Sequence, residues 1–342
     1  MSTSSTQTQS SPAERMIQIV SGFWAARAVH VAAKLGIADH LADGPKRVEQ
    51  LAAATQTHAP SLLRLLRALV GIEVVREVAP GEFASTELGE TLRSGTSDSM
   101  RAVAVSIIGA EHYDAWRAVE HSVRTGETAF DYTFDMSIWS FFKGNAQNAK
   151  DFDQAMTDFT RAIDPAVLEA YDFGQFRHII DVGGGHGELL GAILATHAGV
   201  RGTVFDQPYV AEGATKRFAG KKLSQRADAV GGDFFESVPA GGDAYLMKFI
   251  IHDWDDERSI RILTNVRKAI APGGKLLLLE TVLPEGNEPH FARFMDLNML
   301  VMTGGRERTE KGYAELLRKG GFHLARIVGT ESVISVIEAV PA

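Results

Sequence analysis

The residues best suited to chemistry fall at the ends of apolar runs. Ile179 to Gly187 reads Ile-Ile-Asp-Val-Gly-Gly-Gly-His-Gly, a buried strand running into a glycine-dense turn. Glycine has no Cβ and tolerates positive φ, so a turn of this kind lets backbone approach a nucleotide-like ligand closely. Asp206, closing Thr-Val-Phe-Asp, follows at about 20 positions, the separation at which a carboxylate meets a ribose diol. Asp233 closes a further run in Gly-Gly-Asp-Phe-Phe. The glycines at 183, 185 and 187 miss the Gly-x-Gly-x-x-Gly spacing, so a single adenosine is expected rather than a dinucleotide.

A second chemical segment runs Lys-Phe-Ile-Ile-His-Asp-Trp-Asp-Asp from Lys248 to Asp256. His252 follows an apolar strand and precedes a helix with an acidic first turn. Imidazole, with an ordinary pKa of about 6.5, suits general-base work near neutrality. A lone histidine more often satisfies a backbone group; this one stands at a strand's carboxyl end among acids, which favours the base. Asp255 and Asp256 read most simply as N-terminal helix charges. Asp181, inside the first strand, is expected to order the glycine turn.

These residues need a sheet to align them. From about Asp172 strands alternate with helices, the pattern of a doubly wound parallel sheet. The expected strands are His178–Val182, Thr203–Asp206, Ala227–Val230, Ala244–Phe249 and Lys275–Thr281. A helix from Asp255 to Ile270 is closed by Pro272-Gly273-Gly274, and an antiparallel pair, His323–Val328 and Ser332–Ala339, ends the sheet. Ligands on such sheets bind outside the carboxyl ends of the strands. Asp206, Asp233, His252 and Glu280 all fall on that rim.

The earlier chain is helical. Met16, Val20, Phe23 and Trp24 lead an apolar helix that runs to Leu35. Val48–Ala54 and Ser61–Val70 read as a helix-turn-helix, and Ile72–Val78 with Phe83–Ser85 as a hairpin split by Pro80-Gly81. Together they form a winged-helix-like unit. Its basic and acidic residues balance over 1–110, so the chain's net charge of −8 is carried by the remainder. A neutral unit is poorly equipped to neutralise a phosphate backbone, which favours a structural or dimer-forming module over DNA binding. The resulting division is a disordered tail over 1–12, a dimerisation domain over 13–110, a helical linker and substrate-lining region over 111–171, and a ligand-binding domain over 172–342.

The chain has 342 residues and no cysteine, which excludes disulfides, thiolate metal sites and cysteine nucleophiles. The first eleven residues lack the apolar segment of a signal peptide. No stretch is expected to approach the ~20 apolar residues of a membrane span. A cytoplasmic protein, with no membrane and no nucleic-acid partner, is expected.

Five motifs occur in order: Asp-Val-Gly-Gly-Gly-His-Gly, Phe-Asp-Gln-Pro, Gly-Asp-Phe-Phe, Lys-Phe-Ile-Ile-His-Asp-Trp-Asp-Asp-Glu and Gly-Gly-Arg-Glu-Arg-Thr-Glu-Lys. Over nearly its whole length the chain resembles the S-adenosylmethionine-dependent O-methyltransferases of the plant caffeate and bacterial polyketide-tailoring type. The resemblance implies an α/β fold, a Rossmann-like seven-stranded methyltransferase sheet behind a winged-helix-like, mostly helical N-terminal domain, and a homodimer formed through that domain. It implies S-adenosylmethionine as cofactor and no metal. Gly183, Gly184 and Gly185 would line the cofactor's methionine end. Asp206 would hold the ribose, Asp233 and Phe234 would bracket the adenine, and Lys248 and Trp254 would stand beside the cofactor. His252 would be the general base, oriented by Glu280 and Glu307.

A phenol with a pKa of about 10 needs such a base at neutral pH, whereas the sulfonium methyl is already activated. Phe152, Met156 and Phe159 recur at helical spacing, which by itself fits core packing or a dimer interface; the resemblance implies that they and Met299 clamp a flat aromatic acceptor. Plant members carry a histidine where this chain has Phe159, a departure that favours a bacterial secondary metabolite. Two alternatives differ in class. One is an enzyme on the same scaffold that uses the cofactor for hydroxylation, decarboxylation or a pericyclic reaction. The other is a winged-helix DNA-binding regulator.

Overall fold

The computed structural model describes residues 11–342, and residues 1–10 of the expected tail lie outside it. The described chain separates into two compact units, divided between Gly109 and Ala110.

The first unit opens on helix α1 (Pro12–Leu35), so Ser11 and Pro12 belong to a helix start rather than to a tail. Ser11 and Glu14 form a reciprocal capping box, Pro12 occupies the first turn, and Gly36 closes the helix in the left-handed conformation. Next come α2 (Ile37–His40), β1 (Lys46–Arg47), α3 (Val48–Thr55), α4 (Ala59–Val70), β2 (Val75–Ala79), β3 (Glu82–Ser85), α5 (Glu87–Glu90) and α6 (Arg101–Ser106). The expected two-stranded hairpin gains β1, giving a three-stranded wing in the order β1-β3-β2. Two residues are too few for a strand to show periodicity, so β1 is invisible in the sequence.

At 24 residues, α1 is long and apolar enough to cross a membrane by length and composition alone. This corrects the expectation that no stretch approaches such a length. Met16, Ile17, Ile19, Val20, Phe23 and Trp24 are all exposed on it.

The second unit begins with helices α7 (Ala110–Arg117), α8 (Val119–Thr125), α9 (Ala129–Phe134), α10 (Ile138–Gly144) and α11 (Ala146–Ala170). Alternation then sets in: β4 (His178–Val182), α12 (Glu188–Thr196), β5 (Arg201–Asp206), α13 (Pro208–Gly220), β6 (Ala227–Gly231), β7 (Ala244–Lys248), α14 (Asp256–Ala269) and β8 (Lys275–Glu280). The chain ends with α15 (Phe291–Met302), α16 (Glu310–Lys319), β9 (Phe322–Gly329) and β10 (Ser335–Pro341). The seven strands lie in the order β6-β5-β4-β7-β8-β10-β9, with β10 antiparallel to both β8 and β9.

Both faces of this sheet are covered, which explains the uninterrupted apolar strand Leu276–Leu279. Leu277 and Leu279 enter one core with Ile179 and with Ile163 and Val167 of α11. Leu276 and Leu278 enter the other with Ile180, Val182 and Tyr313. From β4 the chain passes to β5 on one side and later to β7 on the other. That reversal opens a crevice at the carboxyl ends of β4 and β7, where the glycine turn and the histidine segment meet.

Candidate active site

The glycine turn follows β4 directly. Gly183, Gly185 and Gly187 have positive φ, at 72°, 58° and 72°. A Cβ on Gly183 would overlap Ile250, and one on Gly184 would lie 2.5 Å from the Asp181 carboxylate. At Gly185 a Cβ would meet nothing within 4 Å, so open space adjoins that glycine. The bond that orders the turn comes from Asp206 rather than Asp181: Asp206 Oδ2 accepts from the Gly185 N–H at 2.9 Å, and Oδ1 from the Gln207 N–H at 2.6 Å. Burial raises the Asp206 carboxyl above its usual pKa, opposed by those two donors. Each oxygen keeps a second lone pair, which a diol could use.

Asp233 is exposed beyond β6, and its Oδ1 accepts the Phe235 N–H at 2.8 Å in a local turn. Phe234 meets Trp254 edge-on at 6.1 Å, and Trp254 is stacked on Trp139 at 5.6 Å. Trp254 therefore joins an aromatic group with Phe234, Phe235 and Trp139, a partner that nothing in the sequence spacing signals.

The histidine loop hangs from the end of β7. Phe249 holds a left-handed φ of 53°, uncommon for a bulky residue, and its ring lies 5.1 Å from the His252 ring and 5.7 Å from that of Phe159. His252 is 5% exposed. Its Nδ1 is 2.8 Å from Glu307 Oε1 and 3.7 Å from Glu280 Oε2. Nε2 makes no hydrogen bond among the described residues; Asp253 Oδ1 is 3.8 Å away. Glu280, the last residue of β8, accepts the N–H groups of Ile250 and Ile251 on Oε1 at 3.1 and 2.9 Å, so it shapes the loop as well as facing the ring.

Burial alone would lower the His252 pKa, but Glu280, Asp253 and Glu307 outweigh it and raise it to about 10. Burial raises Glu280 to about 7, opposed by His252, and raises Asp253 to about 6. The cluster therefore stores a proton readily and favours an imidazolium. His252, Glu280 and Glu307 also present ligand atoms within 4.8 Å of one another, close enough for a metal ion. Glu280 Oε1 is held by backbone donors and Glu307 Oε1 by the imidazole, an arrangement that orients the ring, while among the described residues Oε2 of each carboxylate is buried without a hydrogen-bond partner.

Several supports lie outside the expected set. Arg308 is 5% exposed and donates to Asp256 Oδ1 at 2.8 Å and to the Trp254 carbonyl at 3.1 Å, tying the histidine loop to the start of α14. Asp296 of α15 accepts the Glu307 N–H at 2.9 Å. Gly305 passes so near the His252 carbonyl that any Cβ would overlap it. The motif Gly-Gly-Arg-Glu-Arg-Thr carried the signal, although only Glu307 was expected to act. Among the expected acceptor clamps, Phe159 reaches the histidine loop through Phe249. Phe152 stacks on Phe142 at 4.8 Å, Met156 is half-buried and Met299 is buried. Lys248 donates to Thr160 Oγ1 at 2.8 Å and Asp164 Oδ1 at 2.9 Å.

The O-methyltransferase domain model matches residues 116–323, and the O-methyltransferase dimerisation domain model matches residues 17–95. The chain belongs to the O-methyltransferase family. This methyltransferase is 47% identical over 326 residues to the phenazine O-methyltransferase PhzM of Lysobacter antibioticus, covering 95% of each chain. It is 35% identical to the 8-amino-8-demethylriboflavin N,N-dimethyltransferase of Streptomyces davaonensis, over 95% of this chain and 94% of the relative. Among solved structures, LaPhzM superposes with a TM-score of 0.94 at 46% identity, over 97% of this chain and all of that one. The neocarzinostatin O-methyltransferase NcsB1, solved with S-adenosylmethionine and 2-hydroxy-5-methyl naphthoic acid, gives 0.80 at 33% identity, over 93% and 96% of the two chains. The methyltransferase sheet and the N-terminal dimerisation module expected from the motifs are both borne out.

Proposed function

We propose that this methyltransferase transfers a methyl group from S-adenosylmethionine to a hydroxyl, phenolic in character, of a small aromatic natural product, with His252 as general base. The observation that carries the proposal is the buried His252–Glu307 contact at 2.8 Å, which leaves Nε2 without a hydrogen bond among the described residues. When bound, the cofactor supplies an electrophilic methyl group.

The chain's residues bind, orient and move a proton. Gly183, Gly184 and Gly185 form the floor for the methionine end, with the open space at Gly185 fitting a close ligand. Asp206 takes the ribose hydroxyls on its remaining lone pairs, Asp233 and Phe234 flank the adenine with Trp254 behind them, and Lys248 stands at the end of β7. Nδ1–H donates to Glu307, which fixes the tautomer so that Nε2 receives the acceptor's proton. The surrounding carboxylates stabilise the imidazolium that forms. A base whose pKa is raised to about 10 matches a phenol of about the same value, so proton transfer between them is nearly balanced. Phe152, Met156, Phe159 and Met299 are assigned to the acceptor's flat faces.

The homodimer is also part of the proposal. The exposed apolar side chains of α1 lie largely within the matched dimerisation domain, and a second copy would cover them. A mass-shift screen of phenolic and amino-aromatic metabolites with labelled methyl donor tests the acceptor. Gain of one labelled methyl on a phenolic oxygen is expected, and transfer confined to nitrogen would overturn the hydroxyl assignment. His252→Ala should lower kcat by about 10²–10⁴-fold while S-adenosylhomocysteine binding, read by calorimetry, stays within about twofold. Full turnover in that variant would remove the base.

A further inference from the structure

Helix α11 presents Phe152, Met156, Thr160 and Asp164 at a spacing of four, one stripe along its length. The first two are proposed acceptor clamps. The last two are the hydrogen-bond partners of Lys248, whose side chain is 11% exposed against 5% for Asp164. The adjacent residue of each element is joined as well, Phe249 to Phe159, so α11 is fastened to the end of β7 at neighbouring positions.

The fastening lies at the weakest turn of the helix. Pro165 has no N–H to offer the Arg161 carbonyl, so one rung of the helical ladder is missing beside Asp164. Charge makes the same point. Asp181 is 2% exposed in β4, its carboxylate lies under Gly184, and it interacts with both Lys248 and Asp164. Only Asp164 contacts the ammonium, with Asp181 acting on it through space, and among the described residues Asp164 Oδ2 has no hydrogen-bond partner. Lys248 has three N–H donors and gives two to α11, and among the described residues no hydrogen bond takes up the third.

We infer that Asp164 and Thr160 are positioning residues that act through Lys248, a buried strut by which an occupied cofactor site holds the acceptor-facing segment of α11 in place. The inference rests on the assignment of Lys248 to the cofactor rim. Binding at the glycine turn would restrain Lys248, and Lys248 would restrain the helix up to its missing rung. Cofactor and acceptor affinities then become coupled, because each ligand favours the same setting of α11.

Hydrogen–deuterium exchange on the full chain, with and without S-adenosylhomocysteine, reads this directly. In the wild type the ligand should slow exchange both over residues 183–187 and over residues 150–164. In Asp164→Asn, which preserves size, the glycine turn should still be protected while ligand-dependent protection of 150–164 falls about fivefold or more. Thr160→Val, which keeps the carboxylate, should give a smaller loss of the same kind and serves if Asp164→Asn does not fold. Undiminished protection of 150–164 in these variants overturns the strut alone. Absence of ligand protection at 183–187 in the wild type overturns the cofactor assignment and the strut with it.

Discussion

Glu307→Gln is the most informative single perturbation of the cluster. Glu307 is 3% exposed, and its Oε1 lies 2.8 Å from His252 Nδ1. A glutamine carbonyl can still accept from Nδ1–H, so the tautomer survives while the charge is lost. A hydrogen bond to a charged group contributes about 1.5–3 kcal/mol, and one pKa unit corresponds to about 1.36 kcal/mol. Removing the charge should therefore lower the His252 pKa by about one to two units from its raised value near 10. The base works only when unprotonated, so kcat/KM should rise with pH through that pKa. In the variant the rising limb should move to lower pH by about one to two units, and the plateau should fall because a weaker base drives the transfer less. The assay is kcat/KM against pH with labelled methyl donor and the acceptor found by screening. Imidazole nitrogen chemical shifts titrated in the apo protein would report the same displacement without an acceptor. A limb that stays put, or moves upward, would refute the claim that Glu307 holds the imidazolium.

Asp206→Ala removes the acceptor for the Gly185 and Gln207 N–H groups as well as the proposed ribose contact, so calorimetry should show cofactor affinity falling by at least about tenfold, as loss of one or two charged hydrogen bonds requires. Gly305→Ala places a methyl group on the His252 carbonyl and 2.5 Å from the Asp253 carbonyl carbon. It should cost about 1–3 kcal/mol or more of stability in denaturant titration and depress kcat by displacing the histidine loop. Asp181→Asn tests a buried carboxyl that burial raises to about 7 from its usual 3.8. A carboxyl raised on folding favours the native state at low pH and loses that contribution as pH rises from about 4 through 7. The variant should therefore gain in melting temperature relative to wild type between pH 4 and pH 8, by an amount corresponding to at most about 4 kcal/mol. An advantage that does not grow with pH would contradict the buried-carboxyl picture.

The strands of the sheet were legible because burial on both faces leaves long apolar runs, as in Leu276–Leu279, and because glycine, proline and acidic residues punctuate them. The helix-turn-helix was legible from its leucines. The wing strand Lys46–Arg47 was not, since two residues carry no period. Asp206 was found from its distance along the chain to the glycine turn, yet its role in ordering that turn was assigned to Asp181. Sequence separation cannot tell which of two strand-end carboxylates faces a given N–H. Lys248 was expected at the cofactor, and its bonds to Thr160 and Asp164 were not, because those partners lie on a helix more than 80 residues earlier.

By itself the sequence determined the alternating strands and helices of the main sheet, the rim on which chemistry would sit, and the residue types able to perform it. These follow from local rules: periodicity of burial, the freedom of glycine, and the ordinary pKa of imidazole. The tertiary structure decided which charges meet. His252 finds Glu307 from 55 positions away and Glu280 from 28, all three buried, and only that convergence turns an ordinary histidine into one whose charged form is held. Electrostatic energy depends on distance through space and on burial, and neither is written along the chain.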